Sequence, residues 1–482
     1  MNSVQDGSKI IILMEKNLNL FEQKLFGIPY WWFARDRVFA YLFSLKSDLE
    51  MTINSAESLT YCEVIKKILD SFHINRIRDH NILSISTSSA RRMVVNGKDF
   101  DVYTDFISWT SYKDQYAVIE TPDLIDHSKR PYSPARYYGD FLSLRGNLAR
   151  LIFSFYHKYK HPKLKEVCSG ICNYLIHHHD IHASEEKLLE IIAKEAAFAK
   201  AAVETAGKYI DRIRPEVMLV ECGYSPSHMV FQYAAKKRKI PVIEIQHGLI
   251  VQSGLGYFFG LESSNQLDDS PFPDKIIVFG EHFKRCLKNN PFINQDDIFV
   301  LGHPIIHWMK EKYGFQNKKN GRIIVCTQPE LHSLFVDLIL ELSRRVVNEI
   351  IIKPHPIEVS RKKQLYGKLE GLDNVSFAAE EENLYELFLN AEYHVSGSSM
   401  TQLEAICFGL KSILIETDSF LGYLDFMMEM GLPVASDVET VIKAIESYPD
   451  IKTIRSYVSS EIFSLDKNPI KEIESLLGRY LP

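Results

Sequence analysis

Apolar and polar positions along this chain follow two regimes that meet near Pro215. Beyond it, short apolar runs of strand length alternate with amphipathic stretches of helical length. PEVMLVECG, PVIEIQHG and KIIVFGE read as strands, with the helix SHMVFQYAAKKRKI between the first two, and IFVLGHPIIHWM closes this half. A polar, glycine-bearing stretch, YGFQNKKNG, then reads as a linker. The rhythm restarts with RIIVCTQ, followed by a helix over 331–347, the strand EIIIKPHP, a helix over 360–370 and the strand VSFA. A helix over 383–391, the strand YHVSG, a helix over 399–409 and the strand SILIE complete it. Near-continuous apolar strands separated by helices predict parallel sheets covered on both faces, the doubly wound α/β class.

The first two hundred residues read differently. Residues 8–50 have helical spacing broken at Gly27-Ile28-Pro29, which predicts two helices meeting at a turn. Strand-like stretches with polar breaks (HNILSIS, RRMVVNG, YAVIETP) occupy 80–135, and helices are expected over 140–212. The predicted architecture is GT-B-like. Two Rossmann-like domains face each other across a cleft, residues 1–310 on the acceptor side with helical insertions and residues 320–482 on the nucleotide side.

Composition narrows the function classes. The chain has 482 residues, enough for two domains, with 46% hydrophobic and 24% charged residues. A net charge of −6 gives no overall nucleic-acid footprint. Seven scattered cysteines read as reduced thiols. No apolar run reaches the ~18 residues that a membrane span needs, so the expected location is the cytoplasm, with peripheral contact at the inner membrane. That contact rests on RGNLARLIFSFYHKYKHPKLK, a basic and aromatic stretch with Arg145, Arg150, Lys158, Lys160, Lys163 and Lys165 in an otherwise acidic chain. An interdomain or core-facing helix is the plain alternative.

Three motifs stand where predicted strands end: Glu244-Ile-Gln-His-Gly248, Lys353-Pro-His-Pro356, and Ser396-Gly-Ser-Ser399 followed by Glu404. In open α/β sheets the ligand crevice lies outside the carboxyl ends of the strands, so such motifs converge. His355, held between Pro354 and Pro356 and near Lys353, is placed to meet a donor phosphate. Ser396, Ser398 and Ser399 offer hydroxyls and backbone N–H groups before a helix, and Glu404 is placed for ribose hydroxyls. A serine there is equally a helix cap. Across the cleft, His247 suits a general base, and Glu221 and Glu244 are alternative catalytic carboxylates. Asp99-Phe-Asp101 spells a metal-binding DxD but is read as part of a charged loop outside the βαβ region, the run His177–His179 with His182 is read as a solvated helix face, and no dinucleotide fingerprint or Walker A loop occurs.

At these motifs the chain resembles bacterial surface-polysaccharide transferases. Gln246-His247-Gly248, Lys353–Pro356 and the Ser398-Ser399 pair are similar to those of capsule and O-antigen Kdo transferases, over about 215 to 420. Their order is also that of teichoic-acid glycerophosphotransferases, and the His-Pro and Ser-Ser pair resembles bacterial sialyltransferases. The resemblance implies a CMP- or CDP-linked donor with His355, Ser398 and Ser399 at its phosphate, a lipid-linked glycan acceptor, no separate cofactor and no nucleic acid. It implies a glycosyltransferase of capsule or O-antigen assembly. The alternatives are a polyol-phosphate transferase and a sugar-nucleotide 2-epimerase on the same fold.

No carboxylate cluster accompanies the phosphate motifs, so turnover is expected to proceed unchanged in EDTA. Loss of activity in EDTA, restored by magnesium or manganese, would refute this.

Overall fold

The structure, a computed structural model, describes residues 4–45, 77–122, 127, 130–133, 135–156, 161–251, 254–261, 269–315, 320–379, 382–416 and 421–481. Its first half contains nine strands: β1 (Ile82–Thr87), β2 (Arg91–Val95), β3 (Lys98–Asp101), β4 (Tyr116–Thr121), β5 (Arg136–Tyr138), β6 (Val217–Glu221), β7 (Val242–Ile245), β8 (Lys275–Val278) and β9 (Ile298–Val300). Seven of them form a parallel sheet in the order β5-β4-β1-β6-β7-β8-β9, and β2 and β3 form an antiparallel hairpin. Strands β1, β4, β6 and β7 are buried along nearly all of their length, as a sheet covered on both faces requires.

The second half adds β10 (Ile323–Cys326), β11 (Ile350–Lys353), β12 (Val375–Phe377), β13 (Tyr393–Ser396), β14 (Lys411–Ile415) and β15 (Val434–Ala435). They pair in parallel in the order β12-β11-β10-β13-β14-β15. The doubly wound reading holds in both halves. The first sheet also starts much earlier than the alternation after Pro215 indicated. A hairpin and short 3-10 turns, not a helix, connect β1 to β4, so the helical period that announces a βαβ unit is missing there.

The helices expected over 8–50 are Val4–Leu18 and Trp31–Ser44. The turn between them is closed by Leu25 and Ile28, whose N–H groups each donate to the other's carbonyl at 3.0 and 2.9 Å, with Gly27 at φ +77°. The stretch 140–212 divides into helices Asp140–Tyr156, Pro162–His179 and Glu185–Ile213. Asp180 caps the second in the left-handed region, and Ser184 accepts from Lys187 N–H to start the third.

A buried ion pair docks the first two helices. Arg35 is 4% and Glu15 0% exposed. Arg35 pairs with both oxygens of Glu15 through Nε and Nη2, and donates to Leu255 O and, at 2.5 Å, to Phe258 O. Glu15 also accepts from Trp31 Nε1 at 2.9 Å and Gly260 N–H at 3.0 Å. A Cβ at Gly260 would lie 2.0 Å from Ile12 O, so only glycine permits this approach. Trp31 and Arg35 are thus packing residues.

The carboxyl-terminal segment returns to the first half. His303 N–H donates to Phe463 O at 3.2 Å, and Ser111 N–H donates to Glu474 Oε1 at 2.6 Å from the helix Pro469–Leu477. Among the described residues no helix is long and apolar enough to cross a membrane.

Removing one partner of a buried pair strands the other charge, at a cost of ~3–5 kcal/mol. Arg35→Met should therefore lower unfolding stability by about that amount in urea titration, and Glu15→Leu/Arg35→Met should recover part of it. A single variant as stable as the wild type would rule out this role.

Candidate functional site

In the second half the chain lays β11 and β12 on one side of β10 and then returns to place β13 on the other. The switch point between β10 and β13 is where such sheets bind ligands. Two hydrogen bonds span it: Ser396 Oγ donates to Cys326 O at 2.8 Å, and Gln328 Nε2 donates to Ser398 O at 2.9 Å. Gln328 Oε1 is buried without a hydrogen-bond partner among the described residues. A buried acceptor left unmatched costs roughly 1–3 kcal/mol, which a donor group on a ligand would offset. Gly397 makes room for this side chain, since a Cβ there would lie 2.1 Å from Gln328 Oε1.

The turn carrying His355 is built on Glu358, which is 2% exposed. Glu358 Oε2 accepts from His355 N–H at 3.0 Å and Thr327 Oγ1 at 2.5 Å, and Oε1 accepts from Tyr366 OH at 2.6 Å. Pro356 opens the 3-10 turn Pro356–Arg361 and leaves the half-buried imidazole beside the end of β10. The Lys353 ammonium donates to Ala379 O at 3.2 Å and Glu382 O at 2.7 Å, which ties it to the loop after β12. Ser399 Oγ accepts from Thr401 N–H at 3.3 Å and Thr401 Oγ1 at 3.0 Å, which ties it to the first residue of the short helix Thr401–Cys407. Glu404 on that helix is buried and lies 3.7 Å from His303 Nε2 of the first half. Because His303 Nδ1 accepts from Ile306 N–H, the ring proton sits on Nε2, toward the carboxylate.

In the first half the switch point falls between β1 and β6. Glu221 bridges it: its Oε1 accepts from Thr87 N–H at 3.0 Å and Thr87 Oγ1 at 2.9 Å. Glu244, one strand along, is 1% exposed, and its Oε1 accepts from Gly223 N–H at 2.9 Å and Tyr257 OH at 2.7 Å. Burial outweighs those bonds and pushes its carboxyl up to about 7. Gln246 shapes the next turn, donating to Gly248 O at 2.7 Å and accepting from Phe279 N–H at 2.8 Å. The half-buried His247 ring stands 5.7 Å from Tyr103 and 6.0 Å from Tyr224. Tyr224, Glu244, Trp32 and the solvent-exposed Asp36 line one crevice.

Sequence patterning brought Glu221, Glu244 and His247 to adjacent strand ends, and placed His355 and the serine loop at the ends of β11 and β13, on either side of β10 in the other sheet. It missed Gln328, Glu358, His303 and Asp36. Each is a single polar residue with no motif spacing; an Asp between two arginines and a Gln after an apolar run were the available signals. Asp99-Phe-Asp101 is not a loop as expected but the end of β3, where Asp101 is buried, accepting from Ser86 Oγ at 2.5 Å and lying 3.9 Å from Arg136. Among the described residues no group of three or more His, Cys, Asp or Glu side chains is placed to hold a metal.

No protein-family model and no curated protein matches this chain. Solved structures do. The UDP-GlcNAc 2-epimerase of Methanocaldococcus jannaschii, in complex with UDP-GlcNAc and UDP, has a TM-score of 0.51 at 14% identity, over 83% of this chain and 99% of its own. UDP-GlcNAc 2-epimerase from Neisseria meningitidis, bound to UDP-GlcNAc, gives 0.46 at 16% identity, over 82% of this chain and 99% of its own. The Streptomyces sp. SF2575 glycosyltransferase SsfS6 gives 0.44 at 13% identity, over 82% and 99%. The fold is GT-B-like: two Rossmann-like halves facing across a cleft, with a helical N-terminal elaboration.

If Glu244 exchanges a proton during turnover, kcat/KM should rise with pH through an ionisation near 7. The variant Glu244→Gln should lose that limb and at least ~10²-fold in rate while still binding nucleotide. An unchanged limb in the variant would remove Glu244 from the chemistry.

Proposed function

We propose that this chain is an enzyme acting on a nucleotide-activated sugar. The second half holds the nucleotide and its phosphates, and acid–base groups of the first half act on the sugar. The observation that carries this reading is the β10/β13 switch point. There the Gln328–Ser398 bond, the turn fixed by Glu358 and the buried Glu404 bring amide, imidazole and carboxylate groups to neighbouring strand ends. Phosphate oxygens and ribose hydroxyls match that mixture of donors and acceptors. His355 and the Ser396–Ser399 loop would meet the phosphates, Glu404 the ribose, and Gln328 Oε1 a hydroxyl or amide donor.

Of the reactions open to such a site, isomerisation of the nucleotide sugar itself comes first, ahead of the capsule or O-antigen transfer that the motifs indicate. The M. jannaschii 2-epimerase has this fold over most of both chains and binds UDP-GlcNAc. Epimerisation beside the anomeric carbon needs a group that takes and returns a proton, together with stabilisation of the nucleotide phosphate. A carboxyl ionising near 7 suits the first requirement. Transfer is the second reading, favoured by the order of Gln246-His247-Gly248, Lys353–Pro356 and Ser396–Ser399 in the sequence. In that case His247 or Glu244 would be the base on an acceptor hydroxyl, with a lipid-linked glycan as acceptor at the cytoplasmic face. A polyol-phosphate donor belongs to the same second reading.

The test is incubation with UDP-GlcNAc alone in D2O, followed by NMR. Deuterium entering the sugar ring with no acceptor present is the expected result. An inert nucleotide sugar that is consumed only when a glycan acceptor is added would select transfer. His355→Ala should lower turnover ~10²–10³-fold with the fold intact, as loss of one preorganised charge-stabilising donor does. Gln328→Ala should weaken nucleotide binding by about tenfold, the value of one charge-assisted or buried hydrogen bond. Near-wild-type behaviour of both variants would place the nucleotide elsewhere.

A further inference from the structure

In the basic stretch over 145–165, Arg145 and Arg150 pair with Glu204 and Glu195, and Lys158 and Lys160 lie outside the described residues. A cation with no carboxylate partner among the described residues stands on the helix Pro304–Tyr313, which closes the first half. Lys312 is exposed, and its ammonium lies 4.7 Å from the centres of both the Trp308 and Tyr313 rings. It borders a groove of about 300 Å³, within the size range of small-molecule sites. The first half lines this groove with Trp109, Tyr132, Trp308 and Lys312, and the second half with Asn383 and Glu386. Glu382 O, one residue before Asn383, accepts from the Lys353 ammonium at 2.7 Å, so the groove adjoins the motif that carries His355.

The rings here are committed to one another. Trp109 stacks with Phe100 at 4.9 Å and with Trp308 at 5.5 Å, and Lys312 lies against Trp308. The column leaves little open ring face for a nucleobase, and it offers a ligand polar atoms instead. Trp109 Nε1 donates to Tyr132 OH at 3.0 Å, so the phenol accepts there and keeps its own proton to give. Asn383 Oδ1 accepts from Tyr385 N–H at 3.0 Å, which fixes the amide and turns Nδ2 away from the short helix Leu384–Leu389. Asn383 is only 5% exposed, yet Nδ2 has no hydrogen-bond partner among the described residues. A nearly buried donor left unmatched is costly, and a ligand oxygen at Nδ2 would offset that cost. Glu386 accepts from Tyr313 OH at 3.1 Å through Oε1 and keeps Oε2 as an acceptor.

We propose that this groove binds a neutral sugar unit of a glycan, at a site separate from the nucleotide. The lining selects that class of ligand. Asn383 Nδ2, Tyr132 OH and the Lys312 ammonium donate, and Glu386 Oε2 accepts. Sugar hydroxyls, each both a donor and an acceptor, satisfy the two kinds together. A polyphosphate would meet the Glu386 carboxylate, with Lys312 as the sole cation in the lining. A wholly apolar ligand would strand Asn383 Nδ2. The inference rests on the groove's own residues and is independent of which sugar reaction the cleft performs.

The experiment is saturation-transfer NMR on the full chain with two neutral trisaccharides, chitotriose and maltotriose, and Kd taken from titration. At least one should receive saturation from the protein, and excess UDP should not displace it. Asn383→Ser keeps an oxygen for the helix cap while removing Nδ2, and should weaken trisaccharide binding ~3–10-fold, the value of one hydrogen bond. Lys312→Ala/Glu386→Ala, at two exposed positions, should weaken it at least ~10-fold. Thermal melting followed by circular dichroism should match the wild type in both variants, which separates loss of the site from loss of the fold. No binding of either trisaccharide to the wild type, displacement by UDP, or binding unchanged in both variants would overturn the proposal. So would tighter binding of tripolyphosphate than of either trisaccharide, which would assign the groove to an anion.

Discussion

The buried pair of Glu15 and Arg35 is the constraint on which the first half's site depends. Arg35 lines the crevice beside Trp32 and Asp36, and both side chains grip the backbone of residues 255–260. That loop carries Tyr257, whose hydroxyl donates to Glu244. The Arg35 guanidinium is also sandwiched by aromatic rings, 4.7 Å from Phe259 and 5.8 Å from Phe21. A buried pair so fully hydrogen-bonded adds little net stability over apolar residues of the same size. What it does supply is position: the N-terminal helices, the loop after β7 and the buried carboxyl are held in one arrangement. The helical elaboration is thus structurally part of the candidate site, not an appendage to the sheet.

Glu358 plays a comparable part in the second half. A fully buried carboxylate accepting three side-chain or backbone donors organises the turn that presents His355. Glu221 does so again at the β1/β6 switch point through Thr87. Three buried carboxylates therefore differ in surroundings. Glu221 and Glu358 each accept from a backbone N–H and a threonine hydroxyl. Glu244 has a backbone N–H and a phenol, too little to offset its burial, and its carboxyl moves to about 7. That burial is why Glu244 is the group proposed for proton exchange.

The parallel sheets were readable because fully buried strands are written as unbroken apolar runs: IIVC, IIIK, VMLVE and VIEI each became a strand. The pairing of β1 and β4 with that sheet was not readable, because the hairpin and 3-10 turns between them have no helical period. His355 and the serine loop stood out because Pro and Gly mark turns in the sequence itself. Glu358 and Gln328 are equally central to those turns but act through side chains that meet only after folding. Their partners lie 31 and 70 residues away, a separation that no local pattern encodes. Lys353 shows the converse. Its motif pointed toward a phosphate, and the folded chain also gives it two backbone carbonyls to hold.

How the two halves face each other is fixed by backbone contacts that leave no room for side chains. A Cβ at Gly280 would lie 2.2 Å from Glu461 O, and Gly302, at φ +87°, would place one 3.1 Å from Ser464 O. The returning carboxyl-terminal segment is therefore pressed directly onto the ends of β8 and β9. His303 follows Gly302 at this joint, and its Nε2 faces Glu404 of the other half. Glu404 is thus located relative to the first sheet by rigid elements and a close-packed joint, the kind of support that holds a functional group to within a fraction of an ångström. A nucleotide gripped through its ribose at Glu404 would inherit that precision, and its sugar would be carried toward the strand ends that bear Glu244 and His247. Two glycines that meet only backbone thus set how closely the carboxyl-terminal segment packs against the ends of β8 and β9.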